Sequence, residues 1–360
     1  MERCKDNFPC NVESKINFVD IMNHELLMQR CLHLAKLGQG NVAPNPMVGA
    51  LLLHDDKIIG EGWHRLYGQA HAEVNAINEV KDNSLLTDCT LYVNLEPCSH
   101  YGKTPPCTDY IISNGIKKVV LGMIDPFAAV NGMGVQLLRN AGIDVTVKVL
   151  ENECKELNKR FITFHSKKRP YIILKWAQSA DGIIGRNHER IIISNKLSNI
   201  LTHQWRSEEQ AIMIGTNTVI TDNPQLNVRH WFGNNPLRIS IDKGKKFSSG
   251  IKLLDGLQPT LLFTYGESAR FHNVEYEQIK EGDALPEKII SSLYKRNIQS
   301  LLVEGGKHTI ESFIAAGLWD EARVFQAPQK MITGVKAPEH QFALYTEETI
   351  GDNKLFIYKN

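Results

Sequence analysis

The chain has 360 residues, of which 42% are hydrophobic and 22% are charged, so it can bury a large core and form two domains. Its 41 Lys and Arg balance 40 Asp and Glu, which argues against a nucleic-acid partner and favours a small-molecule substrate. No apolar run approaches the roughly 20 residues of a membrane-spanning helix, and the start lacks a signal-peptide core, so we expect a cytoplasmic protein with no membrane partner.

The first half alternates between helices and strands after an irregular start over residues 1–21. A helix is predicted over 24–38, where a glycine ends the apolar spacing, and two apolar runs around His54-Asp55-Asp56 predict a hairpin. This pattern predicts a layered α/β domain over 22–150. Its further elements are a helix over 71–80, a strand over 89–95, a helix over 107–115, a strand over 117–123, a helix ending near Gly142 and a strand over 143–150.

A charged and helical stretch over 151–169 ends in a basic cluster before Pro170 and is interpreted as a connector. A second alternation follows, which predicts a separate α/β domain over 170–360. Its predicted strands cover 170–176, 211–215, 236–242, 259–265, 300–306, 321–328 and 354–359, with a helix over 308–317.

Four residues of the first domain form a pattern typical of catalytic zinc. His71, Cys98 and Cys107 supply one imidazole and two thiolates, which leaves the fourth position of a tetrahedral zinc open for a water that the metal acidifies. Glu73 is the predicted proton shuttle. Because residues two apart in mid-helix point to nearly opposite sides, His71 and Glu73 can share a cavity only at the start of a helix.

Pro97 precedes Cys98 and favours a turn or a first helical position, so we expect a helix to begin there and to lower the pKa of the thiol. A structural zinc module is the competing interpretation. Such a site normally has four protein ligands, and the sequence offers no convincing fourth.

The segments NPMVG at 45–49, GEGWH at 60–64, HAE at 71–73 and EPCSHYGKTPPC at 96–107 closely resemble the deaminase half of the bifunctional riboflavin-biosynthesis deaminase/reductases, the RibD family. The resemblance implies a cytidine-deaminase-like three-layer α/β/α domain. It also implies zinc-dependent deamination of 2,5-diamino-6-(5-phosphoribosylamino)pyrimidin-4(3H)-one. The residues expected to line the substrate pocket are Asn45, His64, His100 and Lys103.

The second half resembles the same family at 175–182, 215–229 and 301–306. The resemblance implies a dihydrofolate-reductase-like α/β domain that uses NADPH to reduce the ribosyl chain to ribityl, giving 5-amino-6-(5-phosphoribitylamino)uracil. Arg206 and Arg229 suit a phosphate because guanidinium binds its oxygens in a fork. The expected cofactor residues are Ala177, Thr218, Asp222, Gly305 and Gly306, and the expected substrate residues are Arg206, Leu226, Arg229 and Glu304.

The match in the second half has departures: Ile192 stands where the family carries an aromatic, Ala180 where it carries a leucine, and Lys243 where a small polar residue is common. Two alternatives to the complete enzyme therefore stay open. One is a deaminase with a catalytically impaired C-terminal domain, and the other is a nucleic-acid-editing deaminase. In each case we expect a homo-oligomer.

Overall fold

The protein is described by a computed structural model over residues 18–101, 105–126, 132–186, 189 and 191–360, with side chains from residue 24 onward. Both halves mix helices with strands, which confirms the predicted α/β class. Over these ranges, no helix combines the length and the apolar character needed to cross a membrane.

The N-terminal half is built on a five-stranded sheet. Its first two strands form an antiparallel hairpin, the first also runs antiparallel to the third, and the last three are parallel. The hairpin prediction is confirmed: Asp55 and Asp56 make the turn with φ of 46° and 58°, as a tight two-residue hairpin turn requires. The strands are β1 (Gly49–His54), β2 (Lys57–Trp63), β3 (Thr90–Leu95), β4 (Lys118–Met123) and β5 (Asp144–Thr146), in the order β2-β1-β3-β4-β5.

Helices cover both faces of this sheet. Ala76, Ile111 and Leu138 bring three of them onto one face, and Met28 and Cys31 bring the first helix onto the other. The three layers place two helix starts, those at residues 72 and 107, beside the loop that follows β3. The helices are α1 (Phe18–Lys36), α2 (Ala72–Glu79), α3 (Cys107–Ser113) and α4 (Met133–Asn140).

Two predicted boundaries in this half are wrong. Residues 18–21, predicted to be irregular, belong to α1, because Phe18, Ile21 and Met22 continue the helical apolar spacing upstream. The remaining residues of the predicted extension, 1–17, lie outside the described residues. The strand predicted over 143–150 ends at Thr146, because Lys148 and Leu150 have φ of 70° and 53°, which a strand does not accommodate.

The stretch between the two halves consists of two helices, α5 (Glu151–Leu157) and α6 (Lys159–Lys167), so the helical prediction for this stretch is confirmed. Asn158 separates them and is buried. Its carboxamide accepts from the backbone N–H of Met47 at 2.8 Å and donates to the carbonyl of the same residue at 3.0 Å. The connector therefore holds a loop of the N-terminal half.

The C-terminal half is built on a ten-stranded sheet. Every strand predicted there is present. Its strands are β6 (Tyr171–Gln178), β8 (Ala211–Met213), β9 (Leu237–Ile241), β10 (Thr260–Thr264), β11 (Ala269–Phe271), β12 (Val274–Gln278), β13 (Ser300–Val303), β14 (Glu321–Gln326), β16 (Leu344–Ile350) and β17 (Asn353–Lys359). They lie in the order β11-β12-β10-β9-β8-β13-β6-β14-β17-β16. Two further short strands, β7 (Ile183–Gly185) and β15 (Val335–Lys336), pair with each other outside this sheet.

The strands from β12 to β14 in this order run parallel, with antiparallel strands at both edges. Ile289 and Phe313 pack helices onto one face, and Trp205 and Val219 pack helices onto the other. Ligands of such open sheets bind beyond the carboxyl ends of the strands. The helices are α7 (Lys196–Glu208), α8 (Thr216–Asp222), α9 (Leu285–Lys295) and α10 (Lys307–Ala315), of which the sequence pattern predicted only α10.

Candidate active sites

Three side chains of the N-terminal half meet at one point. His71 is the residue before α2, Cys98 lies in the loop after β3, and Cys107 is the first residue of α3. The Nδ1 atom of His71 lies 3.2 Å from the Cys107 Sγ and 3.6 Å from the Cys98 Sγ. All three potential ligand atoms lie within 4.8 Å of one another. One imidazole nitrogen and two sulfurs at this spacing fit a tetrahedral zinc with a fourth position left over.

The helix predicted over 107–115 is present as α3, but the helix start expected at Cys98 is absent. Cys98 lies in irregular backbone, and the helix begins at Cys107 after Pro106. The backbone N–H of Cys107 donates to the Cys98 Sγ at 3.3 Å, so the Cys98 sulfur still receives an amide from a helix start. Hydrogen bonds from Cys107 and then His71, against burial, lower the pKa of Cys98 to about 4. The site thus favours a thiolate, the form that binds metal.

Glu73 lies in the first turn of α2, beside the three ligand atoms. His71 has extended backbone angles, φ −75° and ψ 169°, and only the residues after it are helical. This is the helix start that His71 and Glu73 need to share a cavity. Glu73 is 3% exposed, and burial raises the pKa of its carboxyl group. A carboxyl group whose pKa is raised holds a proton more readily than an ordinary one, which suits a group that takes up a proton and passes it on.

Two of the four predicted rim residues lie beside the ligands. The Nδ1 of His64 donates to the carbonyl of Ala70 at 3.1 Å, so its Nε2 accepts from the Nδ2 of Asn45 at 3.0 Å. The ring of His64 stacks edge-on against that of His71, with centroids 5.3 Å apart. Burial lowers the pKa of His64, which keeps this ring neutral. Because the Nδ2 of Asn45 is the donor in this bond, its amide oxygen remains an acceptor.

The other two predicted rim residues belong to one loop, of which the structure describes only a part. His100 is exposed and lies in the loop between the two cysteines. Lys103 belongs to the same loop, but it lies outside the described residues.

The glycine turn of the C-terminal half faces the start of α8. The N–H of Gly215 donates to the carbonyl of Gly305 at 2.9 Å. A β-carbon on Gly306 would lie 2.9 Å from the Thr218 Oγ1, so glycine is needed for this close approach. Gly305 has φ of 102°, which also favours glycine. The predicted residues Thr218, Gly305 and Gly306 are therefore brought together at the carboxyl ends of β8 and β13.

A buried cluster of charges follows β13. Glu304 accepts from the Nε of Arg206 at 2.8 Å and from its Nη2 at 2.7 Å, and the Lys175 Nζ lies 4.0 Å away. Burial alone would raise the pKa of Glu304, but the two cations lower it to about 2. The Nε and Nη2 of Arg206 are thus already hydrogen-bonded to Glu304, so any ligand of Arg206 would also lie near this carboxylate.

The remaining predicted residues of this half are more dispersed. Arg229 is exposed, with its Nη1 donating to the Asn227 Oδ1 at 3.0 Å, whereas Leu226 is 2% exposed and packs in the core. Ala177 lies near the end of β6, and Asp222 is the last residue of α8; both are half-buried. Ile192, at the position of the expected aromatic, is 80% exposed.

Comparisons with known proteins extend over both halves. The family of the RibD C-terminal domain matches residues 170–339, and the family of the cytidine and deoxycytidylate deaminase zinc-binding region matches residues 21–123. The riboflavin biosynthesis protein RibD of Aquifex aeolicus is 40% identical over 315 residues, which cover 86% of this chain and 88% of that protein. The chain belongs to the RibD family.

Solved RibD structures agree over the same length. The diaminohydroxyphosphoribosylaminopyrimidine deaminase/5-amino-6-(5-phosphoribosylamino)uracil reductase of Thermotoga maritima superposes with a TM-score of 0.86 at 36% identity, covering 94% of this chain and 99% of that one. Acinetobacter baumannii RibD gives a TM-score of 0.85 at 30% identity, with the same two shares of 94% and 99%. The family's deaminase fold followed by its reductase fold is therefore confirmed for this chain.

This RibD-family chain is a deaminase joined to a reductase in riboflavin biosynthesis and acts on a small-molecule substrate. Zinc is the metal of its deaminase domain, and NADPH is the cofactor of its reductase domain. The predicted fold class, activity class and cofactors are thereby confirmed.

Sequence reasoning missed two buried charges at these sites. The carboxylate of Glu96 accepts backbone N–H bonds from Asp125 at 3.1 Å, Gly132 at 3.0 Å and Val135 at 3.2 Å, so it ties the loop before Cys98 to the start of α4. Lys175 joins Glu304 from β6. Glu96 directly precedes Pro97 in the metal motif, and Lys175 begins the segment 175–182 that resembles the RibD family, so each lay in a segment that carried a signal.

Proposed function

We propose that the first reaction removes the 2-amino group of 2,5-diamino-6-(5-phosphoribosylamino)pyrimidin-4(3H)-one, and that the second reduces the ribosyl chain of the product to ribityl. The observation that carries the first step is a carboxyl group, Glu73, buried beside one imidazole and two sulfurs. The Thermotoga maritima relative, a diaminohydroxyphosphoribosylaminopyrimidine deaminase/5-amino-6-(5-phosphoribosylamino)uracil reductase, supports both substrates.

In the deaminase site we assign His71, Cys98 and Cys107 to zinc. Zinc, when bound, lowers the pKa of water so that a nucleophile is available near neutral pH. Glu73 takes the proton that water releases and passes it to the departing amine, so that the new C–O bond and the broken C–N bond leave no net charge. Its raised pKa supports this exchange.

Asn45 and His64 position the pyrimidine in this proposal. His64 is fixed by the Ala70 carbonyl, and it in turn orients the Asn45 carboxamide. The Asn45 oxygen is then an acceptor for an amino group of the substrate. His100 and Lys103, from the loop between the cysteines, complete the rim toward the ribose phosphate.

In the reductase site we assign NADPH to Ala177, Thr218, Asp222, Gly305 and Gly306. The cofactor supplies the hydride for the carbon that becomes C1′. The two glycines at the start of α10 leave backbone room for a phosphate at the positive end of a helix.

The substrate of the reductase is assigned to Leu226, Arg229 and the pair of Arg206 with Glu304. Opening the ribose ring frees an oxygen that needs a proton. Burial lowers the pKa of Lys175, beside Glu304, which makes its ammonium a suitable proton source.

We propose a deaminase domain over 22–150, which α1 extends back to Phe18, a connector over 151–169 and a reductase domain over 170–360. We also propose that the chain forms a homo-oligomer, that it binds no nucleic acid and that it works in the cytoplasm. The edge strand β16, with Leu344 and Tyr345 more than half exposed, supports self-association. The free thiols of Cys31, Cys89 and Cys154 support a reducing compartment.

A coupled assay tests the two-step proposal. The purified chain is given the pyrimidine ribotide, and ammonia release is followed by loss of NADPH absorbance. We expect both signals in sequence. Ammonia release without cofactor oxidation by folded protein would support an impaired second domain instead, and salt-sensitive RNA binding would support a nucleic-acid-editing enzyme.

A further inference from the structure

A loop of the deaminase domain is held by residues of the reductase domain. The loop runs from Gly40 to Met47 and carries Asn45, whose Nδ2 donates to the Nε2 of His64. Gln299, directly before β13, donates from its Nε2 to the carbonyl of Pro44 at 2.7 Å. This bond joins residues 255 positions apart in the chain.

The bond fixes one particular peptide group. The carbonyl of Pro44 and the N–H of Asn45 belong to the same planar unit, and that N–H donates to the carbonyl of Val42 at 2.9 Å. One polar atom of the unit is thus bound within the deaminase loop and the other by Gln299. Because the plane is held at both ends, the direction in which the Asn45 side chain leaves the backbone is fixed.

Gln299 is a rigid support. It is 3% exposed, its own N–H donates to the Gln210 Oε1 at 2.6 Å, and its carbonyl accepts from the N–H of Tyr171 at 2.8 Å. The side chain therefore projects from a backbone that is anchored to β6 and to the residue before β8.

Packing alone does not hold the loop. A cavity of about 210 Å³ lies between the loop and the reductase domain, lined by Asn45, Arg160, Glu209 and Gln299 among others. A loop beside such a space can turn its peptide groups unless hydrogen bonds prevent it. Without Gln299, the Pro44 carbonyl would lose its partner at a partly buried position.

We infer that Gln299 of the reductase domain is a positioning residue for the deaminase, acting through the peptide group that precedes Asn45. The inference rests on the proposed role of Asn45 in holding the pyrimidine. It means that the deaminase substrate loop is completed by the second domain of the same chain.

The test is Gln299→Met in the full chain, which keeps the side chain's length and removes its donor. We expect the deaminase KM to rise about fivefold, corresponding to a hydrogen bond of about 1 kcal/mol, with kcat within about twofold. The reductase activity of the same preparation, measured with the deaminated intermediate, should be unchanged.

A double-mutant cycle with Asn45→Ala separates positioning from general damage. We expect Asn45→Ala to raise the deaminase KM by more than Gln299→Met does, and Gln299→Met to add nothing in the Asn45→Ala background. Additive effects, or a parallel loss of both activities in Gln299→Met, would overturn the inference.

Two control variants complete the design. Asn234→Ala removes two other contacts of the reductase domain with the same loop, the bonds from its Nδ2 to the Asn41 Oδ1 at 2.9 Å and to the Gly40 carbonyl at 3.3 Å. Because neither bond touches the Pro44–Asn45 peptide group, this variant should leave the deaminase KM unchanged. Gln278→Met makes the same substitution at an exposed residue and should be silent. An Asn234→Ala effect equal to that of Gln299→Met would overturn the inference. If Asn45→Ala leaves the KM unchanged, the proposed role of Asn45 fails, whereas an effect of Asn45→Ala without one of Gln299→Met overturns only the inference.

Discussion

The two active sites of this chain differ in how their charged groups are balanced. In the proposed deaminase site, His71, Cys98 and Cys107 bring together three potential ligand atoms for a metal ion. In the reductase site, Glu304 is balanced by Arg206 and Lys175 from the protein itself. Removal of one group should therefore release zinc from the first site and leave a buried charge unpaired in the second.

The sharpest test of the metal side is Cys98→Ser. Since the hydroxyl does not ionise as a thiol does, the variant should lose most of its zinc and its deamination. Zinc content by elemental analysis and ammonia release measure the outcome. Cys154→Ser, at a buried thiol outside the metal site, is the control and should keep its zinc. Full zinc occupancy in Cys98→Ser would contradict the ligand assignment.

Glu73→Gln separates the proton shuttle from the metal. The ligands remain, so zinc content should be unchanged, while kcat for deamination should fall about 10²–10⁴-fold because the carboxyl group is absent. The reductase activity of the same sample serves as the internal control. Deamination near the wild-type rate would rule out Glu73 as the shuttle.

Glu304→Gln tests the self-balanced cluster. It leaves the buried side chains of Arg206 and Lys175 without their counter-charge, so the free energy of unfolding should fall by about 3–5 kcal/mol, and NADPH oxidation should fall with it. Denaturant unfolding measures the first effect. The matched control is Glu275→Gln, which breaks the more exposed pair with Arg296 and should cost less than about 1 kcal/mol. If the free energy of unfolding fell equally in the two variants, burial of the Glu304 cluster would not make the loss of its carboxylate more destabilising.

The pH dependence of stability gives the smallest of these effects. The pKa of Glu304 is lowered in the folded state from 4.5 to about 2, so its stabilising contribution is present above pH 4.5 and is lost as the pH falls toward 2. The difference in unfolding free energy between wild type and Glu304→Gln should shrink over this range. A difference that stays constant from pH 5 to pH 2 would contradict the pairing.

Two predictions of local structure were wrong at points where the sequence signal was acceptable but the folded chain adopts another backbone conformation. The strand expected over 143–150 is stopped at Thr146 by two residues of positive φ, although its apolar alternation is sound. Cys98 and Cys107 each follow a proline, but a helix begins only at Cys107, where the apolar spacing also predicted one. A single local signal, such as apolar alternation or a preceding proline, does not decide such outcomes.

The sequence by itself was enough to predict the proposed metal ligands and the order of the two α/β folds. The ligands His71, Cys98 and Cys107 lie within 36 positions of one another, and the chemistry of zinc allows few other uses for such a set. Tertiary structure alone decided that Arg206 is paired with Glu304, 98 positions away, and that Gln299 reaches Pro44 across 255 positions. Contacts of that separation depend on how sheets and helices pack, because neither partner carries a local signal of the other.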